Sequence, residues 1–129
     1  MLRCLIVDDS PQFLAAVRTL LEREGLSVVG VASTGGEAVR RAVELSPDVI
    51  LLDVDLGGES GFDVAGRLQR ESGTPGVPVI LISTHTEDDY AELIAASAVV
   101  GFLPKIGLSA GAIRHVLGAR GTDRAVNRG

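Results

Sequence analysis

Five short apolar runs alternate along the chain with segments in which apolar residues recur at helical spacing. The runs are residues 2–7, 28–32, 49–54, 77–83 and 100–104. Such alternation predicts an α/β domain built on a parallel sheet. Val49 to Leu52 and Val79 to Ile82 are continuously aliphatic rather than alternating, as expected of strands covered by helices on both faces. They are read as the central strands.

Between the runs, Phe13, Leu14, Val17, Leu20 and Leu21 mark a first helix, and Ala38, Val39, Ala42 and Val43 a second. Val64, Ala65 and Leu68 mark a third, Leu93 and Ile94 a fourth, and Ile113, Val116 and Leu117 a fifth. Ser10 followed by Pro11 is an N-cap and a first helical residue in the preferred order. Gly25, Gly35, Gly36, Gly73 and Pro75 punctuate the ends. After Gly118 the pattern stops, so residues 1–118 are read as one domain and residues 119–129 as a flexible tail or linker.

A chain of 129 residues has room for one domain. With 46% hydrophobic residues it has enough apolar surface for a core, which the 3% aromatic content makes aliphatic. The net charge is −5, and the tail carries three Arg and one Asp, so the rest is more acidic still, at −7. That balance, with four aromatic residues, argues against a nucleic-acid surface and for metal ions or basic partners. Cys4 is the lone cysteine, no apolar stretch reaches the roughly 20 residues that span a bilayer, and a soluble cytoplasmic protein is expected.

Chemistry gathers at the carboxyl ends of the runs. The first ends in Asp8 and Asp9, the third carries Asp53, the fourth ends in Ser83 and Thr84, and the fifth in Lys105. In an open parallel sheet, ligands sit beyond those ends where the winding reverses, so these acids can converge. Converging carboxylates repel one another and invite a cation, and an all-oxygen site suits Mg²⁺. Lys105 is the only lysine among twelve basic residues, a compact charge able to reach one phosphoryl oxygen. Taken singly, each has a plainer reading: Asp8 and Asp9 as helix caps, Asp53 and Asp55 as the start of a polar loop, Lys105 as a solvated side chain.

The order of the set distinguishes it. With LIVDDS, VILLDVDLGGESG, VILIST and GFLPK at their present spacing, the sequence resembles the receiver domain of bacterial response regulators from about Leu2 to Leu117. The resemblance implies a doubly wound, flavodoxin-like five-stranded sheet of order 2-1-3-4-5. It implies that Asp53 is the phosphoacceptor for a histidine kinase or phosphotransfer protein. Asp8 and Asp9, with Asp53 and the backbone carbonyl of Asp55, would hold Mg²⁺, and Lys105 and Ser83 would contact phosphoryl oxygens. Ser83 and Phe102 would form the switch, Phe102 turning inward, with the fourth helix, fifth strand and fifth helix as output surface and possible dimer face. Asp55 and His85 occupy the two positions that tune phosphoryl lifetime in the family.

Several positions depart from the family pattern. Leu56 and Gly57 stand where Met-Pro is common, Ser97 where glycine usually ends the fourth helix, and Ile106 where a proline often follows the lysine. A trans peptide is therefore expected after Lys105, since a cis bond before a non-proline residue costs about 2.5–4 kcal/mol.

Phosphorylation-dependent signalling without turnover is the expected function, either as a complete regulator or as the receiver part of a DNA-binding regulator whose output resides in an effector domain. The FLPK stretch is similar to receivers attached to helix-turn-helix domains. Competing readings are a small phosphohydrolase of the haloacid dehalogenase kind, from the Asp53-Val54-Asp55 spacing, and a degenerate scaffold receiver. Nucleotide binding is set aside, because Gly30, Gly35 and Gly36 form no phosphate-cradling motif.

Overall fold

The computed structural model describes residues 1–71 and 76–118. The breaks at Gly73 and Pro75 and the tail of residues 119–129 lie outside the described residues. Five parallel strands form one sheet: β1 (Arg3–Val7), β2 (Ser27–Ala32), β3 (Val49–Asp53), β4 (Val79–Ser83) and β5 (Gly101–Pro104), in the order β2-β1-β3-β4-β5. The helices are α1 (Pro11–Arg23), α2 (Gly35–Leu45), α3 (Gly61–Glu71), α4 (Ala91–Ala95) after a 3₁₀ turn at Glu87–Tyr90, and α5 over 110–118. An antiparallel ribbon of two-residue strands, Asp55–Leu56 against Glu59–Ser60, follows β3 and has no counterpart among the expected elements.

Alternate side chains of each central strand enter opposite faces of the sheet. Leu5, Val7, Ile50, Leu52, Val79 and Leu81 pack with α2 and α3 residues such as Ala38, Ala42, Val64 and Leu68. Cys4, Ile6, Val49, Leu51, Ile80 and Ile82 pack on the other face with Val17 and Leu21 of α1 and Ile113 of α5. Each such fully buried aliphatic side chain contributes about 1.5–3 kcal/mol through removal from water. β1 belongs with β3 and β4 at the centre, because only Arg3 interrupts its apolar run.

Arg3 has work of its own. Its guanidinium donates to the carbonyls of Leu45 and Ser46, 2.7 Å each, closing the C-terminus of α2 where Ser46 turns left-handed (φ 46°). Leu20, Val43 and Leu93 lie in the helices their spacing predicts but remain exposed. A helix face packed on a flat sheet covers only part of its apolar arc, and in α1 Val17 and Leu21 take that place. At the end of α4, Ser97 closes the helix with its own hydroxyl, which donates to the Ile94 carbonyl at 2.9 Å. No peptide bond among the described residues is cis, so the one after Lys105 is trans as expected.

No helix among the described residues is long and apolar enough to cross a membrane.

Candidate functional site

The register of the sheet brings the strand ends together. Val7 pairs with Leu52, Asp53 with Ile82, and Ser83 with Pro104. Beyond the ladders, the Asp8 amide donates to the Ala32 carbonyl and the Lys105 amide to the Ser83 carbonyl, so each functional residue is anchored by backbone just past its strand. Sheet geometry therefore fixes Asp8, Asp53, Ser83 and Lys105 along one edge. Gly61 completes the placement: its amide donates to the Val54 carbonyl at 2.6 Å, and a Cβ there would strike the Asp53 carbonyl oxygen and lie 2.8 Å from Val54 Cα.

Oxygens of Asp8, Asp9 and Asp53 lie within 4.8 Å of one another, a cluster able to hold a metal ion. Asp8 is wholly buried, Asp53 is 6% exposed and Asp9 faces solvent. Lys105 reaches across them, its Nζ 2.6 Å from Asp8 Oδ2 and 3.2 Å from Asp53 Oδ2. Both contacts are short and charge-assisted, and the one to Asp8 is the shorter, so the buried Asp8 Oδ2 has the Lys105 ammonium as its counter-charge. The other oxygen, Asp8 Oδ1, accepts from the Ser10 amide at 2.8 Å. Three carboxylates whose oxygens lie within 4.8 Å of one another are an all-oxygen donor set that fits a hard divalent cation.

Burial pushes the Asp53 carboxyl up to about 6, and the Asp8 charge adds to this, against the pull of the Asp55 amide and Lys105. Burial also works against the Lys105 ammonium, but Asp8 and Asp53 outweigh it and hold its pKa above the usual value. The Asp55 amide donates to Asp53 Oδ1 at 3.2 Å. Gly57, at φ 58° in that ribbon, lets Asp9 come close: a Cβ would sit 2.9 Å from Asp9 Oδ2.

Ser83 is buried and its hydroxyl accepts from the His85 amide at 3.0 Å. His85 is exposed, with Nδ1 3.4 Å from the Tyr90 hydroxyl. Phe102 is 7% exposed. It stacks 6.0 Å from Tyr90, which stacks 6.0 Å from Phe62 at the start of α3. His115 is exposed on α5.

Two site residues escaped the sequence reading. Phe13 was read only as part of an apolar stripe, yet its ring centre lies 4.5 Å from Lys105 Nζ; its being one of four aromatic residues, five positions after Asp8, was the available signal. Glu59 of the ribbon accepts from the Gly35 amide at 2.9 Å, tying the loop after β3 to the N-terminus of α2. No local pattern announces a capping partner 24 residues away.

The sequence model of the response regulator receiver domain matches residues 4–115. The chain belongs to the response regulator receiver family. Response regulator GacA of Pseudomonas viridiflava is 33% identical over 106 residues, 81% of this receiver and 49% of that protein. The DNA-binding transcriptional activator EvgA of Escherichia coli K12 is 31% identical over 104 residues, 81% of this receiver and 50% of the activator. This receiver thus spans about half the length of those curated relatives. Among solved structures, the signal receiver domain of the response regulator NarL from Mycobacterium tuberculosis superposes with a TM-score of 0.77 at 31% identity, covering 92% of this chain and 94% of that one. The receiver fold is therefore shared along almost the whole chain.

Proposed function

We propose that this receiver is the phosphoacceptor of a two-component system and takes a phosphoryl group on Asp53 in a Mg²⁺-dependent reaction. The observation that carries the reading is the buried Asp53 carboxylate, clustered with Asp8 and Asp9 and lying 3.2 Å from the only lysine of the chain. Asp8, Asp9 and Asp53 are the residues that would hold Mg²⁺, with the Asp55 carbonyl as a further oxygen. When bound, the ion would neutralise charge on the carboxylates and on the incoming phosphoryl oxygens.

The chain's own residues do the rest. One Asp53 oxygen attacks phosphorus, the bond from phosphorus to the donor's imidazole nitrogen breaks, and the electron pair leaves with that nitrogen. Phosphoryl transfer through a loose transition state demands alignment and charge neutralisation more than covalent assistance. Lys105 supplies a positive charge beside Asp53, the Asp55 amide holds Oδ1 so that Oδ2 faces Lys105, and Ser83 ends β4 with a buried hydroxyl able to contact a phosphoryl oxygen. The product is a covalent state of the receiver rather than a released compound, so the protein is not a turnover enzyme. Asp55 and His85, both exposed at the rim, are placed to influence attack by water on the acyl phosphate.

The output is a change in a protein-binding surface formed by α4, β5 and α5, with Ser83 and Phe102 as the moving parts. Beside Phe102 a cleft of about 370 Å³, lined by His85, Pro104 and Ile106 among others, gives that surface an apolar recess. The histidine kinase or phosphotransfer protein is the upstream partner. The downstream partner is a separate protein, a second copy through the α4 to α5 face, or an effector domain; similarity to a DNA-binding activator over half its length favours the effector domain. An acidic receiver of this kind itself contacts neither nucleic acid nor membrane, and it works in the cytoplasm.

Borohydride trapping tests the assignment. Acetyl phosphate and Mg²⁺, followed by borohydride, should convert Asp53 and no other acid to homoserine in peptide maps. Trapping at another residue would contradict it.

A further inference from the structure

Lys105 Nζ lies 4.5 Å from the centre of the Phe13 ring, inside the roughly 6 Å range over which the negative face of an aromatic ring holds an ammonium. The same ammonium is 2.6 Å from Asp8 Oδ2 and 3.2 Å from Asp53 Oδ2, so two carboxylates and one ring surround it. Core packing alone does not dictate that position. Phe13 is only partly buried at the edge of the cluster beneath α1, in the helix's first turn. Its amide donates to Ser10 Oγ at 3.2 Å, and the Ser10 amide donates in turn to Asp8 Oδ1 at 2.8 Å. The carboxylate that pairs with Lys105 through one oxygen thus fixes, through the other, the turn that carries the ring.

We propose that Phe13 is a positioning residue for Lys105: its ring face keeps the ammonium beside Asp53 once a divalent cation takes over the neutralisation of Asp8. The proposal rests on the receiver reading of the site. With a cation held by Asp8, Asp9 and Asp53, those carboxylates would attract the Lys105 ammonium less strongly, since the two positive charges would share the same oxygens and repel each other. A lysine stem has many rotamers and would then wander. The ring's attraction for the ammonium survives, because an aromatic quadrupole is not titrated by the ion. An aliphatic residue at position 13 fills the same space without that attraction.

The single lysine makes the contact directly visible. The full chain labelled with ¹³C-lysine presents one lysine spin system. Its ε-methylene protons should be shifted upfield by the ring in the wild type and in Phe13→Tyr, and should return to the free-lysine position in Phe13→Leu. With Mg²⁺ and acetyl phosphate, Phe13→Leu should be phosphorylated about fivefold more slowly, and Phe13→Tyr should recover the rate. Phe13→Met serves the same arm should the leucine variant fail to fold. A lysine signal indifferent to Phe13→Leu, or a leucine variant phosphorylated at the wild-type rate, overturns the proposal. A wild type that shows the ring shift but gains no phosphoryl group overturns the receiver reading and the positioning role with it, whereas a phosphorylated wild type without the shift overturns the positioning role alone.

Discussion

The ammonium of Lys105 stands closer to Asp8 than to Asp53, 2.6 Å against 3.2 Å. The lysine is therefore first the counter-charge of a wholly buried carboxylate whose Oδ2 has no other hydrogen-bond partner among the described residues. Removing it should strand two carboxylates in a site of low polarity. Lys105→Met is expected to lose about 3 kcal/mol of stability without metal, and Mg²⁺ should restore much of it by replacing the missing charge. Urea unfolding with and without Mg²⁺ checks both halves; an undiminished midpoint in metal-free urea would show that Asp8 does not depend on Lys105.

Asp53 makes stability depend on pH in an unusual direction for an acid. Its folded pKa of about 6 lies above the ordinary value of 3.8, so between those values the folded chain keeps a proton that the unfolded chain has released. The contribution is fully present below about pH 4 and is lost as pH rises through 6. Asp53→Asn should then be more stable than the wild type in metal-free buffer at pH 7.5, with the advantage shrinking toward pH 4.5. Paired thermal melts across that range read it, and an advantage that stays constant would place the Asp53 pKa near its ordinary value.

The sheet was legible from its aliphatic runs, and so was the meeting of Asp8, Asp9, Asp53 and Lys105, because a parallel sheet delivers every strand end to the same edge. The remainder depends on contacts with no local period. The ribbon at Asp55–Ser60 has two-residue strands, too short for alternation to register, and its hold on α2 runs through a single carboxylate, Glu59. The exposure of Leu20 and Val43 is set by how far a helix rolls on the sheet, which spacing alone leaves open. Phe13 looked like core because its distance from Lys105 in sequence hides a 4.5 Å contact.

Gly61 has no space for a side chain, since a Cβ would meet the backbone of Asp53 and Val54 rather than a movable side-chain end. Gly61→Ala should cost about 2 kcal/mol or more and displace the acceptor carboxylate. Differential scanning calorimetry measures the first effect and Mg²⁺ titration the second. An alanine variant with wild-type melting and metal affinity would mean that the loop after β3 yields freely.

Cys4 lies in the core with no exposure, and burial together with the nearby Asp48 charge pushes its thiol up to about 12. The native protein should resist a thiol reagent at pH 8, and labelling should follow the urea dependence of unfolding. Rapid labelling in native buffer would contradict the packing of β1.

The proposed acceptance of a phosphoryl group by Asp53 depends on a metal held by its neighbours. Intact mass after incubation with acetyl phosphate tests it most directly, run with Mg²⁺, without Mg²⁺, and on Asp53→Asn. The account predicts one phosphoryl gain that needs both the ion and Asp53. A folded chain that gains nothing under any condition, or gains equally without metal or without Asp53, would contradict it.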